Sequence, residues 1–275
     1  MPITADCHLN SHHSGDSDSP MEEMILRGIE LGLKTMCFTE HNDFFYPDSP
    51  DGPGDIFLLN ADSYLYELIQ LKEKYADRIQ ILFGVELGLQ PEAECFRKNA
   101  VFAKSYDFDF IIGSSHICHG RDPYYPDFYE GRSEEAAYRE YFTSILENIK
   151  KFQNFDVYGH LDYVVRYGPN KDAGYSYEKY KDVLDPILQA LIEREKGLEI
   201  NTGGLKEGLK DLHPCTDVLK RYRELGGELI TIGSDAHKPE NLAKHFDRAG
   251  QVLKDCGFTH YCVFEKRTPH FMKLD

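Results

Sequence analysis

Seven times along the chain a short apolar run rich in β-branched residues gives way to a helical stretch. This alternation limits the fold more than any other feature. The runs fall at 3–7, 35–39, 79–85, 110–113, 156–159, 198–200 and 229–232. Helix signals follow them: Ser19 as a cap before Pro20 with Glu22 and Glu23 in the first turn, and Ala136, Ala137, Tyr141, Ile145 and Ile149 recurring along 133–150. Strands that alternate with helices are parallel and joined by right-handed crossovers, and closing such a sheet removes its edges. The expected class is α/β, a (β/α)7 barrel. A last helix near 241–256 and the apolar run 261–264 read as its closure.

Six of the seven runs deliver His, Glu or Asp at or just beyond their C-terminal ends. His8 and Asn10 leave the first run two residues apart and so on one face, with Asp16 returning on the loop. His41, Glu86, His116 and His160 end later runs, and Asp235 and His237 follow the last. Hydrophobic burial does not require this regularity, whereas a barrel gathers its catalytic loops at that face. Imidazole, amide and carboxylate suit a borderline divalent cation such as zinc, manganese or iron better than a soft thiolate site would. One zinc takes about four ligands, so these nine imply two or three divalent metal ions sharing a bridging carboxylate, for which Glu86 is the candidate.

No Ser/Gly/Pro-rich linker or shift of composition divides the 275 residues, and barrels of this length form one domain, read here as 1–275. Mean hydropathy of −0.50 leaves no apolar run long enough to span a bilayer. The start of the chain lacks the basic region and apolar core of a secretory signal, so a cytoplasmic protein is expected. A formal charge of −16 opposes association with nucleic acid or an anionic membrane. An anionic substrate then needs a local positive site, which bound cations supply. The seven cysteines are odd in number and never paired as Cys-x-x-Cys, and read as reduced core residues.

The stretches Asp6-x-His8-x-Asn10, Thr39-Glu40-His41, Gly84-Val85-Glu86, Gly113-Ser114-Ser115-His116, Gly159-His160-Leu161-Asp162 and Gly233-Ser234-Asp235-Ala236-His237 together resemble the polymerase and histidinol phosphatase (PHP) superfamily, in one order from Asp6 to His237. Within it, His160 to Tyr167 and Glu199-Ile200-Asn201-Thr202-Gly203-Gly204-Leu205 are similar to the monofunctional histidinol-phosphate phosphatases. The resemblance implies a distorted (β/α)7 barrel that hydrolyses L-histidinol phosphate to L-histidinol and phosphate in histidine biosynthesis. It places His8, Glu86 and Asp235 on one metal, Glu86, His116 and His160 on a second, and Asp16, His41 and His237 on a third. The alternatives are another PHP phosphoesterase, acting on a nucleotide, an oligonucleotide or a phosphotyrosyl protein, and a metal-binding module without catalysis. Two departures stand out. Asn10 replaces the second histidine usual in the family, and Asp16 stands where some relatives have histidine.

A phosphomonoester needs its oxygens neutralised, a strong oxygen nucleophile, and a proton for the leaving alkoxide. Bridged metals meet the first two needs. Asp235, His237 and Arg166 are the candidate catalytic groups, Asp235 as the proton carrier. Arg166 lies a few residues beyond the His160 strand end, where a guanidinium fork can take two phosphate oxygens. Lys206 is a further substrate-binding candidate. The other histidines, His12, His13, His119, His213, His245, His260 and His270, read first as ordinary polar residues. His12 and His13 also read as substrate contacts, and His12 is the one carried forward. For a substrate amine and ring, acidic groups such as Asp43 or Asp122 and the tyrosines of 122–129 are the candidates.

Overall fold

In the computed structural model, which describes residues 3–274, seven parallel strands stand side by side in sequence order. They are β1 (Ala5–Leu9), β2 (Thr35–Asn42), β3 (Gln80–Gly88), β4 (Phe110–Ser114), β5 (Val157–Tyr158), β6 (Gly197–Asn201) and β7 (Ile230–Gly233). Helices α1 (Met21–Leu31), α2 (Ala61–Lys74), α3 (Ala93–Ser105), α4 (Glu134–Lys151), α5 (Val164–Tyr167), α6 (Tyr177–Glu193), α7 (Gly203–Lys206) and α8 (Thr216–Glu224) lie between them, and α9 (Phe246–Asp255) follows. Every residue of β1 and β2 is buried, as expected of parallel strands covered by helices. Asn60, Ser133 and Ser176 cap α2, α4 and α6 by accepting a backbone N–H three residues on.

The first and last strands meet. The Asn10 N–H donates to the Ala236 carbonyl and the Asp235 N–H to the His8 carbonyl, both at 2.9 Å. Asp6 holds this seam from within, its carboxylate accepting the Ser234 N–H (3.0 Å), the Ser234 hydroxyl (2.6 Å) and the Ala243 N–H (3.1 Å). The ring is a distorted (β/α)7 barrel: β5 has two residues, and the β1–β2 register slips between Asp6 and Leu9.

Three expectations need correction. β1 begins two residues late, so His8 lies inside the strand and only Asn10 beyond it. Ser19 caps nothing: Pro20 holds the cap position, and the Ser19 hydroxyl donates to the His237 carbonyl at 2.8 Å, tying the first loop to the last. The run 261–264 does not close the barrel. It forms β8 (His260–Glu265), paired antiparallel with β9 (Thr268–Lys273). This hairpin sits against the N-terminal ends of the strands, where the Lys266 N–H donates to Asp109 and the Arg267 guanidinium to Asp156 (2.6 Å). The opposite end is left for the strand-end residues. Six cysteines are buried and Cys215 half-buried, all of them free thiols.

Asp6→Ala would strand two buried N–H groups and a hydroxyl at the closing seam. The expected loss is about 3 kcal/mol of unfolding free energy, measured by urea denaturation. A loss below about 1 kcal/mol would remove Asp6 from the seam's support.

Candidate active site

At the C-terminal mouth of the barrel the Glu86 carboxylate, 0% exposed, is ringed by imidazoles. Its Oε1 lies 3.2 Å from His116 Nε2 and 2.8 Å from His160 Nε2. Its Oε2 lies 3.1 Å from His8 Nε2 and 3.2 Å from His41 Nδ1. His41 stands in register with Glu86 across β2 and β3, so the strand pairing itself brings those two together. The buried His41 Nδ1 makes no hydrogen bond there, a polar atom left unanswered among groups that suit cations. Asp235 adds a carboxylate oxygen 3.8 Å from His8 Nε2.

A further group sits beside this ring. Asp16 Oδ2 is 3.0 Å from His237 Nε2 and 3.7 Å from His41 Nε2. Asn10 belongs with this group. With its NH2 donating to the Leu9 and Thr39 carbonyls, its oxygen lies 3.2 Å from both His41 Nε2 and His237 Nε2.

Sequence reasoning missed the groups that hold these side chains. Glu199 of β6, the one strand end not counted, hydrogen-bonds His8 Nδ1 at 2.6 Å through Oε1 and accepts the His160 N–H at 2.8 Å through Oε2. Gly159 and Gly233 make room for it: a Cβ at the first would collide with Ser114 Oγ, and at the second with His8 Cβ and the Glu199 carboxylate. Asp43, an expected substrate contact, is instead taken by His116 Nδ1 at 2.7 Å. Such partners fix the tautomer and orientation of an imidazole. The adjacency of glycine to His160 and Ser234 was the available signal.

Arg166 is 7% exposed and already engaged. Its Nη2 donates to Asp235 Oδ2 at 3.2 Å and its Nε to His213 Nε2 at 3.4 Å. An arginine can only donate, so that imidazole nitrogen accepts, and the His213 proton sits on Nδ1, 2.5 Å from Asp162 Oδ1. His213, read as an ordinary polar residue, thus helps hold Arg166. The mouth opens into a cavity of about 460 Å³ whose lining includes His41, His116, Asp122, Arg166, Lys206 and Asp235. His12 is absent from that lining and is corrected. Buried Glu40 accepts the Ser11 N–H (3.0 Å) and hydroxyl (2.6 Å), and His12 is turned toward Glu67.

Residues 6–203 match the PHP domain model. A histidinol-phosphatase of Lactococcus lactis subsp. lactis is 35% identical over 98% of this chain and 96% of its own. The chain belongs to the PHP domain family. A Clostridium acetobutylicum relative of this PHP protein is 33% identical, with 95% of this chain and 97% of its own covered. The crystal structure of the L. lactis histidinol phosphate phosphatase, solved with zinc, L-histidinol and phosphate, superposes with a TM-score of 0.86 at 32% identity, covering 97% of this chain and 98% of that one.

Burial in the PHP site works against every charge, and the neighbours decide the outcome. Glu199, Glu86 and Asp235 overcome it at His8, and Asp43 and Glu86 at His116, so both imidazoles are held well above their ordinary range. His41, opposed by burial but facing Glu86 and Asp16, is raised to about 9. Burial alone would raise Glu86 and Asp235, yet His8 and its neighbours hold both well below the usual carboxylate range. At His160 burial prevails and lowers the value.

A raised imidazole contributes stability that is complete below its unfolded value, near 6.5, and lost as pH rises through its folded value. Protein stripped by a chelator is therefore expected to lose thermal stability as pH rises from about 6.5 toward about 9, the His41 value. Zinc needs neutral imidazoles and binds more tightly over the same interval. Thermal unfolding with chelator and with zinc across that range measures both. A Tm that stays flat or rises in chelator contradicts the assignment.

Proposed function

We propose that this PHP protein, one domain over 1–275, hydrolyses L-histidinol phosphate to L-histidinol and phosphate, as a cytoplasmic enzyme of histidine biosynthesis. The observation that carries the reading is the position of Asp235. One of its oxygens faces His8 of the ligand ring while the other pairs with Arg166, so cation ligands and a phosphate-binding guanidinium meet through one carboxylate. The near-full-length relatives support the same activity. Among the described residues no helix is long and apolar enough to cross a membrane, and the charge of −16 disfavours polyanionic substrates.

Two to three divalent cations, zinc, manganese or iron, fit the residues present. Glu86 offers a different oxygen to each pair of imidazoles, an arrangement that would let it serve two cations. His8 and Asp235 would share one cation with Glu86, His116 and His160 a second, and Asp16, His41 and His237 a third with the Asn10 oxygen. Bound there, the cations supply charge neutralisation and an acidified water. Arg166 holds a phosphoryl oxygen, kept in place by Asp235 and His213, and Lys206 adds positive charge at the rim. Asp235 takes a proton from the attacking water and passes it to the leaving alkoxide oxygen. His237, its Nδ1 3.1 Å from the Asp235 carbonyl, keeps that turn in place. Asp122, raised to about 6 by burial against the donation of Tyr46, is the remaining acidic partner for the amine, and Tyr124 and Tyr163 offer faces to the ring.

A site that pairs the amine rejects phosphates without one, because its buried carboxylate is left with no cation to answer it. With identical metal loading, kcat/KM for histidinol phosphate should exceed that for glycerol phosphate, a nucleoside monophosphate and phosphotyrosine by at least about tenfold. A smaller preference would leave a phosphoesterase but end the histidinol assignment.

Arg166→Lys keeps charge and loses the fork, with an expected cost of roughly 2 kcal/mol in kcat/KM. His213→Phe should cost about tenfold in the wild-type background and little in Arg166→Lys, which has no Nε–H to orient. His213→Gln, which keeps an acceptor, should recover part of the loss. Additive losses in the double variant would show that His213 does not act through Arg166.

A further inference from the structure

We propose a separate cation site on the outer side of the first loop, formed by His12, His13 and Glu67. Glu67 Oε2 lies 3.3 Å from His12 Nε2 and 2.9 Å from His13 Nε2, and the three ligand atoms lie within 4.8 Å of one another. Bond lengths of about 2.0–2.2 Å to a tetrahedral zinc separate its ligands by roughly 3.3–3.5 Å. The observed spacings need only small side-chain adjustments to meet that.

The set is partly preorganised. The His13 side chain is 8% exposed and its ring packs 5.6 Å from that of Tyr64, while Glu67 is anchored on α2. The His12 side chain is 42% exposed, so a fourth position is open to water. Two imidazoles and one carboxylate select a borderline divalent cation over magnesium or calcium. The other surface grouping of this kind, Cys118, His119 and Glu140, differs in that Arg132 and Arg121 already engage its carboxylate.

The site is distinct from the ligand ring, because Ser11 and Ser14 turn inward onto Glu40 while His12 and His13 face α2. A cation there clips the loop to the helix. That loop carries Asn10 at one end and Asp16 at the other, so the clip restrains the third ligand group of the active site from outside.

The test is calorimetric titration with zinc of protein whose active-site cations are already loaded, near pH 7.5. Wild type should bind one zinc more than Glu67→Gln and one more than His12→Ala, whose exposed side chain leaves folding intact. Micromolar zinc should raise the Tm of wild type and not of Glu67→Gln, and Glu67→Gln should keep kcat/KM within about twofold. Equal stoichiometry in all three proteins would reduce the contact to a hydrogen bond and overturn the site. Absence of hydrolysis in every protein would bear on the proposed activity alone, since the zinc count does not depend on it.

Discussion

A carboxylate cut off from water is costly unless its charge is answered, and Glu86 is answered by four imidazole nitrogens within 3.2 Å. Those rings come from β1, from β2 and from the segments following β4 and β5, so one side chain sets the relative positions of four strand ends. The demand then passes outward. Each ring must be oriented, and Glu199 and Asp43 do this from the far side of His8 and His116. The result is a mouth crowded with acidic groups, a concentration of like charge that Arg166, protons on the imidazoles or cations between them offset. The apolar layers keep the strands parallel; this polar lattice keeps their ends converged.

The ring of imidazoles and carboxylates at the mouth was legible in the sequence because strand ends are marked twice, by an apolar run and by the residue that breaks it. His8, His41, Glu86, His116, His160, Asp235 and His237 all reach the mouth on that logic, and Asp16 on its loop. What supports them was less visible. Glu199 sits inside an apolar strand, where its spacing resembles a surface position, and its role depends on reaching His8 of β1 past Gly233 of the intervening β7. Asp162 and His213 are far apart in the chain, and nothing local announces their 2.5 Å contact. His12 shows the opposite case: it lies in the chain between Asn10 and Asp16, yet its ring is turned toward Glu67. Period and motif report which way a residue faces along its own element; they do not report what stands opposite.

Asp235 shows how the seam serves the site. Its φ of 54° lies in the left-handed region, which aspartate tolerates better than most residues, at a cost of about 1 kcal/mol. The hydrogen bond of its N–H to the His8 carbonyl holds that conformation. So placed, the carboxylate looks toward His8 on one side and Arg166 on the other. A residue continuing β7 in extended form would point to one of them only.

The contact of Asp6 with Ser234 joins residues 228 positions apart. At synthesis rates of about 5–20 residues per second, β1 emerges roughly ten to forty-five seconds before the strand that closes on it. Throughout that interval the nascent chain carries His8, His12 and His13 without Asp235 or His237. His41, Glu86, His116 and His160 join them one strand at a time, so the set stays incomplete until β7 is made. A ligand set that includes Asp235 and His237 can be assembled only after that last strand has been made.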